Sequence, residues 1–403
     1  MNNLGLYIHI PFCKAKCNYC DFNSYPGKAA LMEPYFHAME TEIKQRGAEL
    51  RDKRDKGTGT MSLLETGHGT CPLVPVPTEF GTVFIGGGTP SLAEPRLIYR
   101  LMNSCREHFR LAGNAEISME ANPGTLTLEK LTGFKASGIN RLSIGLQAWQ
   151  DRLLKELGRI HSREEFEENL KLARKAGFKN INVDLIFGLS GQTMNDWMET
   201  VSNIISLDID HISCYSLKIE EGTVFGNRLE SGELEEPDDE LDRKMYWYAI
   251  DSLAKNGYKH YEISNFARPG FECRHNLVYW RAEEYLGIGA GAHSYLDGCR
   301  FNNVNGIEDY MDRIEKGGRF QENEQPIDKT EAMSEYMILG LRLVDGVSME
   351  AFKARFGEEA DSIFGGQLAK LENRQLLEWD GDRWRLTPTG LDFGNTVFME
   401  FLS

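Results

Sequence analysis

The sequence predicts an α/β fold in which a parallel sheet carries the chemistry and a small second domain follows it. Three observations lead there. Six short β-branched runs alternate with amphipathic stretches of helical period, glycines stand where several of those helices should end, and after about residue 325 the pattern changes to helices followed by a hairpin. Strands are expected at Leu6–Ile10, Thr82–Ile85, Ala115–Glu120, Arg141–Leu146, Asn180–Phe187 and His211–Leu217. Helices are expected over Pro34–Glu49, Pro95–Phe109, Ser162–Ala176 and Met194–Leu207. Gly138, Gly177 and Gly257 fit C-cap positions, where a left-handed backbone ends a helix without steric cost. Strands joined by helices require right-handed crossovers, so the sheet is either doubly wound or curved into a barrel. Chemistry should then gather at the C-terminal ends of the strands.

The chain of 403 residues has room for one large domain, 1–325, and an appended one, 326–403. Within the first, residues 57–78 break the rhythm with Gly, Thr and Pro clusters and read as a mobile surface insertion. In the second, Thr330–Val344, Ser348–Phe356 and Ala360–Glu372 read as helices. Leu376–Trp379 and Arg383–Leu386 flank the turn Asp380-Gly381-Asp382, and a final helix follows Pro388. That order resembles a winged-helix module. Between Thr330 and Ser403, however, 7 basic residues face 13 acidic ones, which disfavours DNA as its ligand.

The whole chain carries a formal charge of −16, which argues against nucleic-acid or anionic-membrane binding. No basic leader precedes an apolar stretch and no segment approaches transmembrane length, so a cytoplasmic protein is expected. Cys71, Cys105, Cys214, Cys273 and Cys299 are scattered without motif spacing and read as thiols of a reducing compartment.

The other three cysteines are not scattered. Cys13, Cys17 and Cys20 share one loop directly after Leu6-Tyr7-Ile8-His9-Ile10. Three thiolates at that spacing can each hold one iron of a cubane cluster and leave the fourth iron open to a small molecule. Structural zinc would need a fourth Cys or His nearby, and Asp21-Phe22-Asn23 supplies none. A second signal is Thr82-Val83-Phe84-Ile85-Gly86-Gly87-Gly88-Thr89-Pro90, a glycine run at a strand end. Taken alone it reads equally as a tight strand-to-helix turn. The G-x-G-x-x-G pattern of dinucleotide sites is absent.

Together these motifs resemble the radical S-adenosylmethionine (SAM) superfamily. Tyr7–Cys13, Gly86–Ser91, Glu120-Ala121-Asn122-Pro123, Ser143–Gln147 and Asp184–Leu189 follow the order seen in the oxygen-independent coproporphyrinogen oxidase family, over nearly the whole chain. The resemblance implies a partial (β/α)6 barrel with a winged-helix-like C-terminal domain. It implies a 4Fe–4S cluster on Cys13, Cys17 and Cys20, with SAM chelating the open iron. It also implies SAM contacts from Gly87, Gly88 and Thr89, from Glu120 to the ammonium, from Arg159 to the carboxylate and from Asp184 to the ribose. Gln147 would donate and accept, and Tyr7 and Tyr19 would line the pocket. Singly, each polar residue reads as a strand-end cap or a surface ion pair; behind a cysteine triplet they read as a site. The implied chemistry is reductive cleavage of SAM to methionine and a 5′-deoxyadenosyl radical, which needs a reductant for the cluster.

Within that family the chain departs from the oxidases. They carry a further cysteine two residues after the third ligand, and here that position is Phe22. The arm that precedes the first strand in the oxidases is also missing. Both features look like the HemW-type haem chaperones, as does His275-Asn276-Leu277-Val278-Tyr279-Trp280. The resemblance implies haem ligation by His275, with Tyr279 one helical turn on, and flat contact for a porphyrin from Trp280 and Tyr285. His9, His161 and His293 are weaker ligand candidates, and the bland reading of His275 is a core hydrogen bond. The expected function is a carrier that transfers haem to an acceptor such as a respiratory cytochrome. The alternatives are SAM-dependent decarboxylation of coproporphyrinogen III and an electron-transfer cluster protein. The sequence leaves a homodimer open.

Overall fold

Six strands run parallel in a computed structural model that describes residues 4–55, 79–236 and 238–402. β1 (Leu4–Ile10) is followed by two two-residue strands, β2 (Phe12–Cys13) and β3 (Tyr25–Pro26), that pair with each other. Then come β4 (Phe80–Gly87), β5 (Leu111–Ala121), β6 (Arg141–Gln147), β7 (Ile181–Phe187) and β8 (His211–Ser216). The neighbours in the sheet are β1-β4-β5-β6-β7-β8, in sequence order and all parallel. An order that never reverses has no switch point, so the sheet is barrel-like rather than doubly wound. β1 and β8 do not pair with each other, which leaves the barrel partial. The expected insertion at 57–78, with Cys71, lies outside the described residues.

Helices cover the outside. α1 (Met32–Asp55), α2 (Pro95–His108), α3 (Leu128–Ala136), α4 (Asp151–Glu156), α5 (Arg163–Lys175) and α6 (Met194–Ser206) lie between the strands. α2 opens on Pro95, whose missing N–H costs nothing at a helix start, and buries Leu97, Ile98, Leu101, Met102 and Cys105 along one stripe. α5 and α6 each begin with a capping box, Ser162 with Glu165 and Thr193 with Asp196. Beneath them sits one core built from the outward residues of the strands, among them Ile8, Val83, Met119, Ile144, Leu185 and Ile212.

Both edges of the barrel are extended by strands that the sequence pattern does not announce. β9 (Lys259–Glu262) and β10 (Asn265–Ala267) add antiparallel to β8. β11 (Tyr285–Ile288) adds parallel to β1 and continues antiparallel into β12 (His293–Leu296), β13 (Cys299–Asn303) and β14 (Gln321–Pro326). Between them lie α7 (Val224–Glu230), α8 (Asp239–Lys255), α9 (Arg274–Trp280) and, ahead of β14, α10 (Ile307–Glu315). The result is a sheet of twelve strands.

The C-terminal body runs α11 (Lys329–Gly340), β15 (Val347–Ser348), α12 (Met349–Phe356), α13 (Ala360–Asn373), β16 (Leu377–Trp379) and β17 (Arg383–Leu386). With its three-stranded sheet β15-β17-β16, this is the winged-helix-like order. It has a core of its own around Phe352, Phe356, Phe364 and Leu371. Two expectations need correction. The first helix stops at Gly340, where the chain turns so that Leu343 can bridge to Glu262. The single final helix is two, α14 (Pro388–Asp392) and α15 (Gly394–Met399), because Phe393 between them has non-helical angles. No helix among the described residues is long and apolar enough to cross a membrane.

Ile144, fully buried between sheet and helices, tests this packing. Ile144→Ala should lower unfolding free energy by about 2–5 kcal/mol in urea denaturation. A change under about 1 kcal/mol would mean that the outer face is not the core.

Candidate cluster and SAM site

Successive side chains on a strand point to opposite faces, and here the second face is polar. β4 turns Thr82 inward, β5 Glu116, Ser118 and Glu120, β6 Arg141 and Ser143, β7 Asn182 and Asp184, and β8 His211 and Ser213. Nearly all are buried. These groups hydrogen-bond sideways around the wall. Ser143 donates to Asp184 Oδ2 at 2.8 Å, and Asn182 donates to Ser143 Oγ at 2.7 Å and to Asp184 Oδ1 at 2.8 Å. His211 Nδ1 lies 2.6 Å from Asn182 Oδ1 and its Nε2 lies 2.8 Å from the Tyr261 hydroxyl.

The cysteine loop sits at the C-terminal rim. β2 and β3 brace its ends, and Asn18 ties its middle to α4 through its N–H to Leu157 O at 3.0 Å and its side-chain amide to Glu156 O at 2.8 Å. Cys13, Cys17 and Cys20 are all half-buried free thiols. The Cys20 thiol is pushed up, first by burial and then by its neighbours Cys17 and Cys13, although the Phe22 backbone and Lys16 oppose this. Thr89 donates to Cys13 Sγ at 3.6 Å and Arg159 Nη1 to Cys17 Sγ at 3.5 Å.

The glycine run meets the loop edge-on. Gly88 donates to Ile10 O at 2.9 Å and Thr89 to Phe12 O at 2.8 Å. A Cβ on Gly88 would stand 2.7 Å from Phe12 O, and one on Gly87, where φ is +112°, would stand 2.5 Å from the His9 ring. No other residue fits either position. Gly87 donates to Glu120 Oε2 at 3.0 Å. The Glu120 carboxyl is nevertheless pushed up to about 7, chiefly by burial and then by Asp184. Gln147 ends β6 with φ of +74° at a bulge in the pairing with β7, a strained backbone of the kind found at functional sites. Arg159 Nη2 is held at 2.7 Å by both Asn122 Oδ1 and Gly145 O, while its Nε is buried without a partner. Tyr19 lies beside Arg159 and Cys17, and burial raises its phenol. Tyr7 reaches His9 Nδ1 at 3.0 Å and stacks on Phe84.

The structure thus gathers Gly87, Gly88, Thr89, Glu120, Gln147 and Arg159 near the cysteine loop, with Tyr19 inside that loop, while Tyr7 and Asp184 stand on the inner face of β1 and β7. His275 is placed elsewhere. It is 1% exposed at the N-terminal ends of the strands, with Nδ1 2.8 Å from Thr82 Oγ1 and Nε2 2.9 Å from the Tyr279 hydroxyl. Thr82 stands near the N-terminal end of β4, four positions before Gly86, so the imidazole lies deeper in the barrel than the glycine run. Burial and Arg141 push its pKa down to about 3. The open imidazole expected from the motif is therefore a hydrogen-bonded core group in this conformation, because the shared face of His275 and Tyr279 turns into the barrel. His9 is similarly engaged, its Nε2 2.8 Å from Asn23 O, whereas His293 is exposed. The motifs do not single out Ser143, Asn182, His211 or Glu116; their one signal is the two-residue alternation within each strand.

A parallel partial barrel with a three-thiol loop at its C-terminal rim defines the radical SAM class. A model of the Radical SAM superfamily matches residues 76–204, and one of the HemN C-terminal domain matches residues 327–393. The chain is 37% identical to the heme chaperone HemW of Lactococcus lactis, over 98% of this chain and 96% of that one. It is 37% identical to the protein of the same name from Bacillus subtilis, over 98% of each chain. With the Escherichia coli one it shares 32% identity over 99% of this chain and 98% of the relative. Among solved structures, coproporphyrinogen III oxidase (HemN) from Escherichia coli matches with a TM-score of 0.81 and 24% identity, over 99% of this chain and 90% of that one, a likeness of fold. The chain belongs to the HemW family of radical SAM proteins.

Membership implies a 4Fe–4S cluster and SAM, and the residues fit both. The loop offers three thiols and no fourth, the stoichiometry of a cluster with one open iron. The orphaned Arg159 Nε is a buried donor suited to a carboxylate, and the Glu120–Asp184 pair suits a cationic ligand.

Without ligand, a carboxyl raised this way costs stability as pH climbs from the ordinary carboxylate range through 7, because the folded state keeps a proton the unfolded state has lost. A cation beside Glu120 reverses that cost. SAM affinity, measured by calorimetry on the reconstituted protein, should therefore rise about tenfold between pH 6 and pH 8. Glu120→Gln should weaken binding and flatten the profile. An equally steep profile in the variant would remove Glu120 as the partner of the ammonium.

Proposed function

We propose that the chain is a cytoplasmic haem chaperone that binds haem and passes it to acceptor proteins such as respiratory cytochromes. The observation that carries this reading is full-length similarity to three proteins named heme chaperone HemW. Phe22 supports it: the residue stands where the oxidases carry a further cysteine and is 60% exposed beside the cluster loop. When bound, the cluster supplies an electron for reductive chemistry on SAM. The chain's own residues do the holding. Arg159 and Thr89, which donate to Cys17 Sγ and Cys13 Sγ, would steady the cluster ligands; Glu120 would face the ammonium, Asp184, aligned by Ser143 and Asn182, would take the ribose, and Tyr7 and Tyr19 would line the pocket. A cellular reductant would serve the cluster.

In this reading His275 is the axial ligand of haem iron and Tyr279 holds it in reserve. Its Nε2 becomes available only when the Tyr279 hydroxyl leaves, and Thr82 then fixes the ring through Nδ1.

Haem added to the purified protein should give a Soret band. Tyr279→Phe, which frees Nε2 of one hydrogen bond, should tighten haem binding about fivefold, the equivalent of a net 1 kcal/mol. His275→Ala should abolish the histidine-ligated spectrum. An unchanged spectrum in both variants would remove His275 as the ligand. Multiple turnovers of coproporphyrinogen III by the reduced, reconstituted protein under anaerobic conditions would replace the carrier with an oxidase.

A further inference from the structure

α9 has two faces, and only one looks into the barrel. At about 100° per residue, His275, Val278 and Tyr279 share one side, while Arg274, Leu277, Trp280 and Arg281 share the other. That second side borders a cleft of about 1190 Å³ between α9 and the C-terminal body, whose opposite wall includes Tyr336, Val347 and Ala351. The cleft exceeds the roughly 300–1,000 Å³ usual for small-ligand sites.

Its charge runs against that of the chain. Lys259, Arg274, Arg281, Arg355, Arg383 and Arg385 line it, against four carboxylates, Glu272, Glu283, Asp345 and Asp380. Lys259 and Arg385 are ion-paired, with Asp345 at 3.0 Å and Glu378 at 2.7 Å, and Arg383 lies 3.4 Å from Asp382, whereas two further cations are held by backbone carbonyls. Arg274 donates to Asn114 O at 2.7 Å, and Arg355 donates to Arg281 O at 3.0 Å and to Ala282 O at 2.6 Å. Trp280, whose ring carries the Arg342 guanidinium at 4.5 Å, keeps its indole Nε1 buried without a partner, although a buried indole N–H usually finds one. None of the lining residues is His, Cys or Met.

We propose that this cleft is a porphyrin-holding site that grips the ring and its propionates and does not depend on iron. A flat apolar macrocycle suits the aromatic and aliphatic walls, and two carboxylates suit the arginine rim. With no histidine, cysteine or methionine among its lining residues, the site would hold the ring by its faces and propionates. The inference rests on the haem-chaperone reading, but the site is distinct from His275 on the other face of the helix.

The test is titration of the full-length protein with haem and with metal-free protoporphyrin IX, followed by quenching of tryptophan fluorescence. With His275→Ala removing the iron ligand proposed for the barrel side, the protein should bind both within about threefold of each other. Arg281→Glu combined with Arg383→Glu should weaken protoporphyrin binding at least tenfold with the thermal midpoint unchanged. Trp280→Phe should keep binding but lose much of the quenching, which places the ring without relying on the charge-reversed variant. Native-like porphyrin affinity in the charge-reversed protein, or binding of haem but not protoporphyrin, would overturn the cleft and leave the chaperone reading standing. Failure of the native protein to bind either molecule would overturn both.

Discussion

A strand covered by helices on one side and fronting a cavity on the other must carry two kinds of side chain, and every polar group on its inner face needs a partner. Parallel sheets buried on both faces read as continuous apolar runs. This one does not. Leu142, Ile144 and Leu146 point out into the core, while Arg141 and Ser143 point in. Several inner groups are held across the strands, as in the links from Asp184 through Ser143 and Asn182 to His211 and Tyr261. The wall is thereby ordered before any ligand arrives, which lowers the entropy that binding must overcome.

The inner wall also sets the sign of the cavity. Glu116, Glu120 and Asp184 outnumber Arg141 among the strand residues, and Arg159 enters from the rim with two of its donor positions already committed. Burial raises Glu120 and Asp184 raises it further, against the Gly87 N–H that it accepts. A ligand with an ammonium and a sulfonium would supply an offset, and the Nε–H of Arg159 would be open to its carboxylate. Acidic wall and basic rim are complementary to a zwitterion in one orientation only.

How much of this is legible in the sequence depends on the range of the interactions. The six parallel strands and their helices follow from local periodicity, and the cysteine loop and glycine run from residue type and spacing. β9 to β14 escaped because they are short and mixed: Lys259-His260-Tyr261-Glu262 and Gln321-Glu322-Asn323-Glu324 become strands only by pairing with edges already formed. The facing of α9 escaped for the same reason. His275 and Tyr279 read correctly as neighbours on a helix, but which side of that helix meets the barrel is decided by Thr82 and by Gly5, whose bare backbone leaves room for the imidazole.

The attachment of α9 shows how the two cavities are joined. A seven-residue helix is too short to hold itself together, and its N-cap, Cys273, makes no side-chain capping bond. The cap comes instead from the barrel wall. Glu116 accepts from Arg274 N and His275 N, both at 3.2 Å, so a carboxylate of β5 neutralises the positive end of the helix. At its other end, Arg355 of the C-terminal body donates to Arg281 O and Ala282 O. The helix that floors the barrel and walls the cleft is thus clamped between the two bodies, with few internal bonds of its own. The Arg355 end belongs to the C-terminal body, and the Glu116 end is anchored to the inner wall proposed to face SAM. Occupancy of the cavity and the geometry of the cleft therefore bear on one short element, whose hold is tertiary at both ends.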